Sequence, residues 1–331
     1  MSFKFLQAAV TAAFSAGFLS NPAAAQQLRE FSYALPSRSL VAAAPRIAAE
    51  LGLFEAHGLK PDFVYIDTTS GTATALLSQS VDIAETGVTE VITAQARGQG
   101  LLVVASHYSG VPGSLVLAKS VVDELDTAPD APLEERLKAL DGLLLAGVAA
   151  TSNMTVAYRG AARAAGAEPE FTYMAVSAMQ AALETGAVQG IITTAPFWAF
   201  PVHSGTGVLW ISPPAGDVLT GFIPSSGAIT ATTPQFVNAN PELVQDISAV
   251  FADLSAAVGE RPDEVKAVVA QLYADLDDEI LDLIWGLESR AFQTGPLTAE
   301  DIVRDIEFMN MTGADFGDIG SVDPTAVLLA R

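Results

Sequence analysis

Sliding the chain along itself by 107 residues superimposes Ser70–Ala105 on Ser177–Ser212 without a gap. Ser70/Ser177, Ala75/Ala182, Leu76/Leu183, Val81/Val188, Thr86/Thr193, Gly98/Gly205 and Gly100/Gly207 are identical pairs, and the apolar runs Leu101–Val104 and Val208–Ile211 coincide. Ala and Gly match by chance in a chain rich in both, but the aligned apolar runs and the strand-end threonines Thr86 and Thr193 add to that background. The offset is far longer than the roughly 20–50 residues of a solenoid period. It therefore describes two lobes of related build, and two lobes imply a cleft.

The local pattern gives the class. Phe31–Pro36, Phe63–Thr68, Ile83–Thr86 and Leu101–Ser106 read as strands, separated by helical stretches over Val41–His57, Thr72–Gln79 and Glu90–Arg97. Leu143–Ala149, Phe171–Met174, Ile191–Thr194 and Val208–Ile211 read as strands of a second lobe, with its first helix over Met154–Ala165. Strands alternating with helices of this length are βαβ units, so the expectation is an α/β fold with parallel sheets. Asp123–Asp141, acidic and broken by Pro129 and Pro132, reads as a surface excursion. After Pro213-Pro214-Ala215-Gly216, Ser226–Ala231 reads as a strand and everything from Asn240 as helical. Asn240-Pro241-Glu242 supplies an N-cap, a proline at the first helical position and a first-turn acid; Thr298 with Asp301 makes a similar cap. Such a tail has no core of its own, so it is expected to pack on the first lobe. The boundaries follow: 1–25 an export signal, 26–115 with 217–331 the first lobe and its helices, and 116–216 the second lobe.

Composition narrows the function. Sixteen Lys and Arg against 38 Asp and Glu leave a net charge of −22, which excludes a nucleic-acid partner because such binding exchanges protein cations for counterions. The absence of cysteine removes disulfides, thiolate metal sites, thiol nucleophiles and a lipid-modified cysteine. The three histidines, at 57, 107 and 203, have no metal-site spacing, and no cofactor or metal is expected. At the N-terminus, Lys4, the apolar run Phe5–Leu19, Asn21-Pro22 and Ala23-Ala24-Ala25 have the layout of a cleaved secretory signal. That run is short of the roughly 20 residues that span a bilayer. The expectation is an exported, periplasmic chain without a lipid anchor.

The sequence also carries a family pattern. Gly52-Leu53-Phe54-Glu55-Ala56-His57-Gly58-Leu59, then Ser70-Gly71-Thr72, Ala75-Leu76-Leu77, Val81-Asp82-Ile83-Ala84-Glu85-Thr86-Gly87 and Asn240-Pro241-Glu242-Leu243-Val244 together resemble the solute-binding proteins of ABC importers for nitrate, sulfonates, taurine and thiamine-precursor pyrimidines. The resemblance runs from about Leu28 to the C-terminus. It implies a type II periplasmic-binding fold, two α/β lobes around a ligand cleft, and a monomer that delivers a small solute to a membrane permease with a cytoplasmic ATPase. A sensor docking on a membrane receptor and an enzyme on the same fold are the alternatives. Members usually carry an acid where Gln189 stands, the counterpart of Asp82, and Thr193-Thr194-Ala195-Pro196-Phe197-Trp198 is this chain's own. Both departures bear on the ligand class.

In such a fold the solute meets strand C-terminal ends and helix N-termini, whose free N–H groups attract polar and anionic groups. Candidate ligand residues are Ser37 and Arg38; Thr69, Ser70 and Gly71; Thr86, Gly87 and Thr89; and Thr151, Ser152 and Asn153. Ordinary capping competes as an explanation for each hydroxyl. Arg38 suits a carboxylate or sulfonate, whereas Arg159, deep in its helix, is expected to point outward. So few cations favour a monoanion or a neutral flat molecule over a dianion. Tyr108, Thr194 and Trp198 complete the set, the two aromatics as loop residues placed to stack on a ring. Phe197 is a further stacking candidate, Phe200, Trp210 and Trp285 read as packing, and His107 as a satisfied loop histidine. No catalytic residue is assigned.

Overall fold

Gly52 decides the first departure from the sequence pattern. Its φ of +71° interrupts the helical stretch expected over Val41–His57, because a left-handed residue cannot continue a right-handed helix. The result is two short helices. A computed structural model describes residues 28–66, 68–150, 152–219, 226–312 and 315–329; the N-terminal signal expected over 1–25 lies outside them.

The chain runs β1 (Arg29–Leu35), α1 (Ala44–Glu50), α2 (Leu53–Ala56), β2 (Leu59–Tyr65), α3 (Thr69–Leu77), β3 (Ile83–Thr86), α4 (Val88–Ala96) and β4 (Leu102–Ser109). It continues through β5 (Ser114–Ala118), α5 (Lys119–Val122), α6 (Leu133–Lys138), β6 (Leu144–Gly147), α7 (Asn153–Ala164), β7 (Glu170–Tyr173), α8 (Val176–Glu184), β8 (Gly190–Thr193), α9 (Ala199–His203) and β9 (Gly207–Ile211). Then follow β10 (Ser226–Thr232), α10 (Pro234–Ala239), α11 (Pro241–Glu260), α12 (Pro262–Leu272), α13 (Asp278–Glu288) and α14 (Ala299–Thr312).

The strands form two five-stranded sheets of the same order, β2-β1-β3-β10-β4 and β7-β6-β8-β5-β9. The internal repeat holds end for end in its first two elements: moved by 107 residues, α3 falls on α8 and β3 on β8. The sheets are mixed rather than all parallel. β10 runs antiparallel to both β3 and β4, and β5 antiparallel to both β8 and β9. β5 and β10 hold the same place in the two sheets, so the chain crosses between lobes at β4–β5 and again at β9–β10. It enters the second sheet at Ser114, one strand before the expected Leu143–Ala149.

Asp82 and Gln189 have matching structural jobs. Asp82 Oδ2 accepts from the Ser32 N–H of β1 at 2.8 Å, and Gln189 Oε1 accepts from the Leu144 N–H of β6, also at 2.8 Å. Each caps a backbone donor on the strand beside its own, a task an amide oxygen performs as well as a carboxylate. The departure at Gln189 is therefore a change of strand fastening.

The expected acidic excursion contains α6, which is not free. Arg136 on it donates to Asp217 Oδ2 at 2.9 Å and to the Trp210 carbonyl, while Trp210 Nε1 donates back to the Arg136 carbonyl. The C-terminal helices also reach further than expected. α11 and α12 pack on α1, and α11 on β4, as a first-lobe tail should. α13 instead packs on α9 of the second lobe, and α14 touches both α4 and α7. One buried core accordingly joins Phe251 and Trp285 of the tail to Trp198 and Ala199 of the second lobe. The Thr298–Asp301 cap is a reciprocal box, Thr298 N–H to Asp301 Oδ2 at 2.7 Å and Asp301 N–H to Thr298 Oγ1 at 3.3 Å. Asn240 precedes α11 but does not cap it; its amide donates back to the Phe236 carbonyl at 3.4 Å.

Candidate functional site

The parallel strands end at Leu35, Tyr65 and Thr86 in the first sheet and at Gly147, Tyr173 and Thr193 in the second. The loops that follow them open helices, and most of the predicted site residues lie there. Ser37 folds onto Ser39, Oγ to Oγ at 2.9 Å, while Arg38 is exposed with its Cζ 4.1 Å above the Tyr65 ring. That loop is held from beneath. Arg46, buried on α1, donates from Nη2 to the Arg38 carbonyl at 3.1 Å and to Tyr273 Oη at 2.6 Å, and the Tyr273 hydroxyl donates to the same carbonyl at 2.9 Å. Glu85 lies buried near Arg46; burial pushes its carboxyl well above the usual range, and the guanidinium opposes that shift. Burial likewise pushes the Tyr273 hydroxyl up to about 12.

The α3 and α4 starts form one cluster. Thr68 caps α3 by accepting from the Gly71 N–H at 3.0 Å, and a side chain at Gly71 would place Cβ 2.8 Å from both Ile66 Cγ2 and Thr68 Oγ1. Thr86, buried, donates to the Thr69 carbonyl at 3.0 Å. The Glu90 carboxylate, absent from the predicted set, accepts from Thr69 Oγ1 at 2.9 Å and from Thr89 Oγ1 at 2.8 Å, and lies where a Cβ on Gly87 would be. Its position three residues after the N-cap Gly87 was readable as a first-turn acid that complements the helix dipole. Ser70 stays exposed beside Thr68, 3.4 Å between hydroxyls. Thr69 and Thr89 thus already serve a carboxylate of the chain itself.

In the second lobe Ser152 caps α7 by accepting from the Thr155 N–H at 3.2 Å, with Asn153 half-buried beside it; Thr151 lies outside the described residues. Thr194 is half-buried and its carbonyl accepts from the Phe197 N–H at 3.0 Å. Two aromatic expectations are corrected. Trp198 and Tyr108 are both fully buried, and both donate to the buried Glu288 of α13: Trp198 Nε1 to Oε1 at 2.7 Å and Tyr108 Oη to Oε2 at 3.0 Å. They fasten the tail to the second lobe and to β4 instead of stacking on a ligand. Burial raises Glu288 to about 7 against these two donors. The aromatics left open at the strand ends are Tyr65, Tyr173 and Phe197, 36%, 42% and 39% exposed. Arg159 does not point away. Its Nη2 donates to Tyr173 Oη at 2.8 Å and its Nη1 to the Ala150 carbonyl at 3.5 Å, so a long side chain from the second turn of α7 folds back to the strand-end loop.

None of the histidines joins these loops. His57 meets Asp253 at 2.8 Å on the surface, His203 lies 3.9 Å from Glu279, and His107, expected in a loop, is buried inside β4 and stacked on Phe251. Burial lowers His107 to about 3. Among the described residues, no group of three or more His, Cys, Asp or Glu side chains is placed to hold a metal ion.

Two like-ordered mixed sheets, crossed twice by the chain and opening their helices on strand-end loops, define a protein of the periplasmic-binding fold. Solved structures share it. The aliphatic sulphonate-binding protein SsuA of Escherichia coli superposes with a TM-score of 0.66 at 17% identity, over 91% of this chain and 98% of that one. The alkanesulfonate-binding SsuA of Xanthomonas axonopodis pv. citri, bound to MOPS, gives 0.64 at 14% identity over 92% and 98%. The nitrate-binding protein NrtA of Synechocystis PCC 6803 gives 0.61 at 16% over 91% and 84%. Among curated protein sequences none matches significantly. The model of the NMT1-like family matches residues 38–274, and the chain belongs to that family.

Proposed function

We propose that this chain is the extracytoplasmic solute-binding subunit of an ABC importer and not an enzyme. It captures a small monoanionic or neutral planar organic solute between its lobes and delivers it to a membrane permease. The observation that carries the reading is the repeated arrangement itself: two sheets of one order, each ending in loops with unburied hydroxyls, an exposed tyrosine and an arginine. Such loops are suited to a ligand that bridges both lobes, and a bridging ligand favours the closed form by population shift. The fold shared with sulfonate- and nitrate-binding proteins supports it, as does the export-signal layout of residues 1–25. The described part has no helix long and apolar enough to cross a membrane.

A thermal-shift screen tests the proposal, because a ligand bound only by the native state raises the melting temperature. The panel contains sulfonates, taurine, nitrate, pyrimidines and small aromatic acids. A clear rise with one chemical class is the expected result. No rise with any compound, after partial unfolding and dialysis to strip a co-purified ligand, counts against it.

A further inference from the structure

We infer that the solute is an aromatic monocarboxylate, its carboxylate taken by Arg38 and its ring laid against Tyr65, with Tyr173 and Arg159 closing from the second lobe. The inference rests on the solute-binding reading above and names the ligand class. β2 and β7 occupy the same outer place in their sheets, and each ends on an exposed tyrosine in contact with an arginine. The chain carries a net charge of −22, yet neither arginine has a carboxylate partner among the described residues. In so acidic a protein an unneutralised guanidinium beside an exposed ring is a site for an anion with a π-face. The planar fork of arginine matches a carboxylate, and tyrosine provides stacking area at low entropic cost.

Two further observations narrow the class. The Arg38 loop is built, since two buried or half-buried side chains, Arg46 and Tyr273, both donate to the Arg38 carbonyl. Arg46 is itself buried, and burying a guanidinium is costly unless its N–H groups are hydrogen-bonded, as its Nη2 is here to the Arg38 carbonyl and Tyr273 Oη. Meanwhile the hydroxyls of Thr69 and Thr89 are already bound to Glu90, whose carboxylate repels a small anion that would otherwise sit at the α3 and α4 starts. A nitrate or methanesulfonate has no ring for the open tyrosines and no place at those helix starts. An aromatic acid reaches Arg38 while its ring occupies the tyrosine surface.

Isothermal titration of the purified chain with benzoate, phenylacetate and indole-3-acetate, against cyclohexanecarboxylate, benzyl alcohol, nitrate and methanesulfonate, tests this. At least one aromatic acid binds, several-fold more tightly than cyclohexanecarboxylate and at least tenfold more tightly than benzyl alcohol. Arg38→Gln lowers that affinity at least tenfold with unchanged far-ultraviolet circular dichroism, and Tyr65→Leu removes the preference for the aromatic ring. Arg46→Lys, which leaves every cleft side chain in place, weakens binding while the order of preference persists. If nitrate or methanesulfonate binds and closes the lobes in small-angle scattering, while Arg38→Gln is without effect, the aromatic inference is overturned and the solute-binding role stands. If none of these compounds binds, the aromatic inference is overturned, and the wider thermal-shift panel decides the solute-binding role separately.

Discussion

Glu288→Gln isolates the fastening between the tail, β4 and the second lobe. In the folded chain burial holds this carboxyl near 7, against an ordinary value of 4.5. Between those values the unfolded chain has released the proton and the folded chain retains it, so stability falls as pH rises from 4.5 to 7 and is level above. The loss is roughly 3 kcal/mol, from about 1.4 kcal/mol per unit of difference. Glutamine offers Trp198 Nε1 the same oxygen and turns its NH2 toward Tyr108 Oη, reproducing the protonated acid without the titration. At pH 4 the variant and the parent therefore melt within about 2 °C of each other. By pH 8 the variant is the more stable by roughly 3 kcal/mol, on the order of 6 °C in a chain of this size. Melting curves of both proteins at unit steps from pH 4 to 8 measure the difference, which cancels every other titrating group. Parallel curves across that range would refute the reasoning, since they would mean that Glu288 titrates alike in both states.

Other outcomes follow from single sites. His107, near 3 when folded and 6.5 when free, binds its proton first in the unfolded chain, so stability is lost as pH falls from 6.5 to 3; His107→Phe should flatten that limb of an acid titration followed by tryptophan fluorescence. Gly190→Ala would bring Cβ within 2.7 Å of Leu117 Cδ2 and Leu145 Cδ2 and 3.2 Å of the Val116 carbonyl, and should cost about 1–3 kcal/mol in urea unfolding. Thr298→Ala removes one half of the α14 capping box and should cost about 1 kcal/mol by the same measurement. Gln189→Glu keeps the acceptor for the Leu144 N–H, so solute affinity should not change; a shift in ligand preference would return that position to the binding site.

How far the sequence could be read is clearest at the repeat. α3 and α8, β3 and β8 were legible because both copies keep one spacing, and spacing along the chain is a local property. β5 was missed because Ser114–Ala118 is buried on both faces, so it shows no alternation to separate it from neighbouring apolar sequence. The hydroxyl-rich helix starts were legible from capping chemistry, and Arg38 from its place after a strand. Glu90 was passed over because a first-turn acid is ordinary there, and its link to Thr69 spans 21 residues of chain. Trp198 and Tyr108 were misjudged for one reason. Their common partner, Glu288, stands 90 residues from the first and 180 from the second.

Periodicity, caps and the 107-residue offset settle which segments become strands and helices, and that there are two lobes, because backbone geometry and side-chain pattern act over a few residues. Partnership across the chain is decided only by tertiary packing. That is where β5 and β10 exchange sheets, where α13 and α14 tie one lobe to the other, and where Arg159 turns back to Tyr173. Burial and charge then assign the roles: Trp198 is sealed against a carboxylate, while Tyr65 and Tyr173 are left open beside arginines.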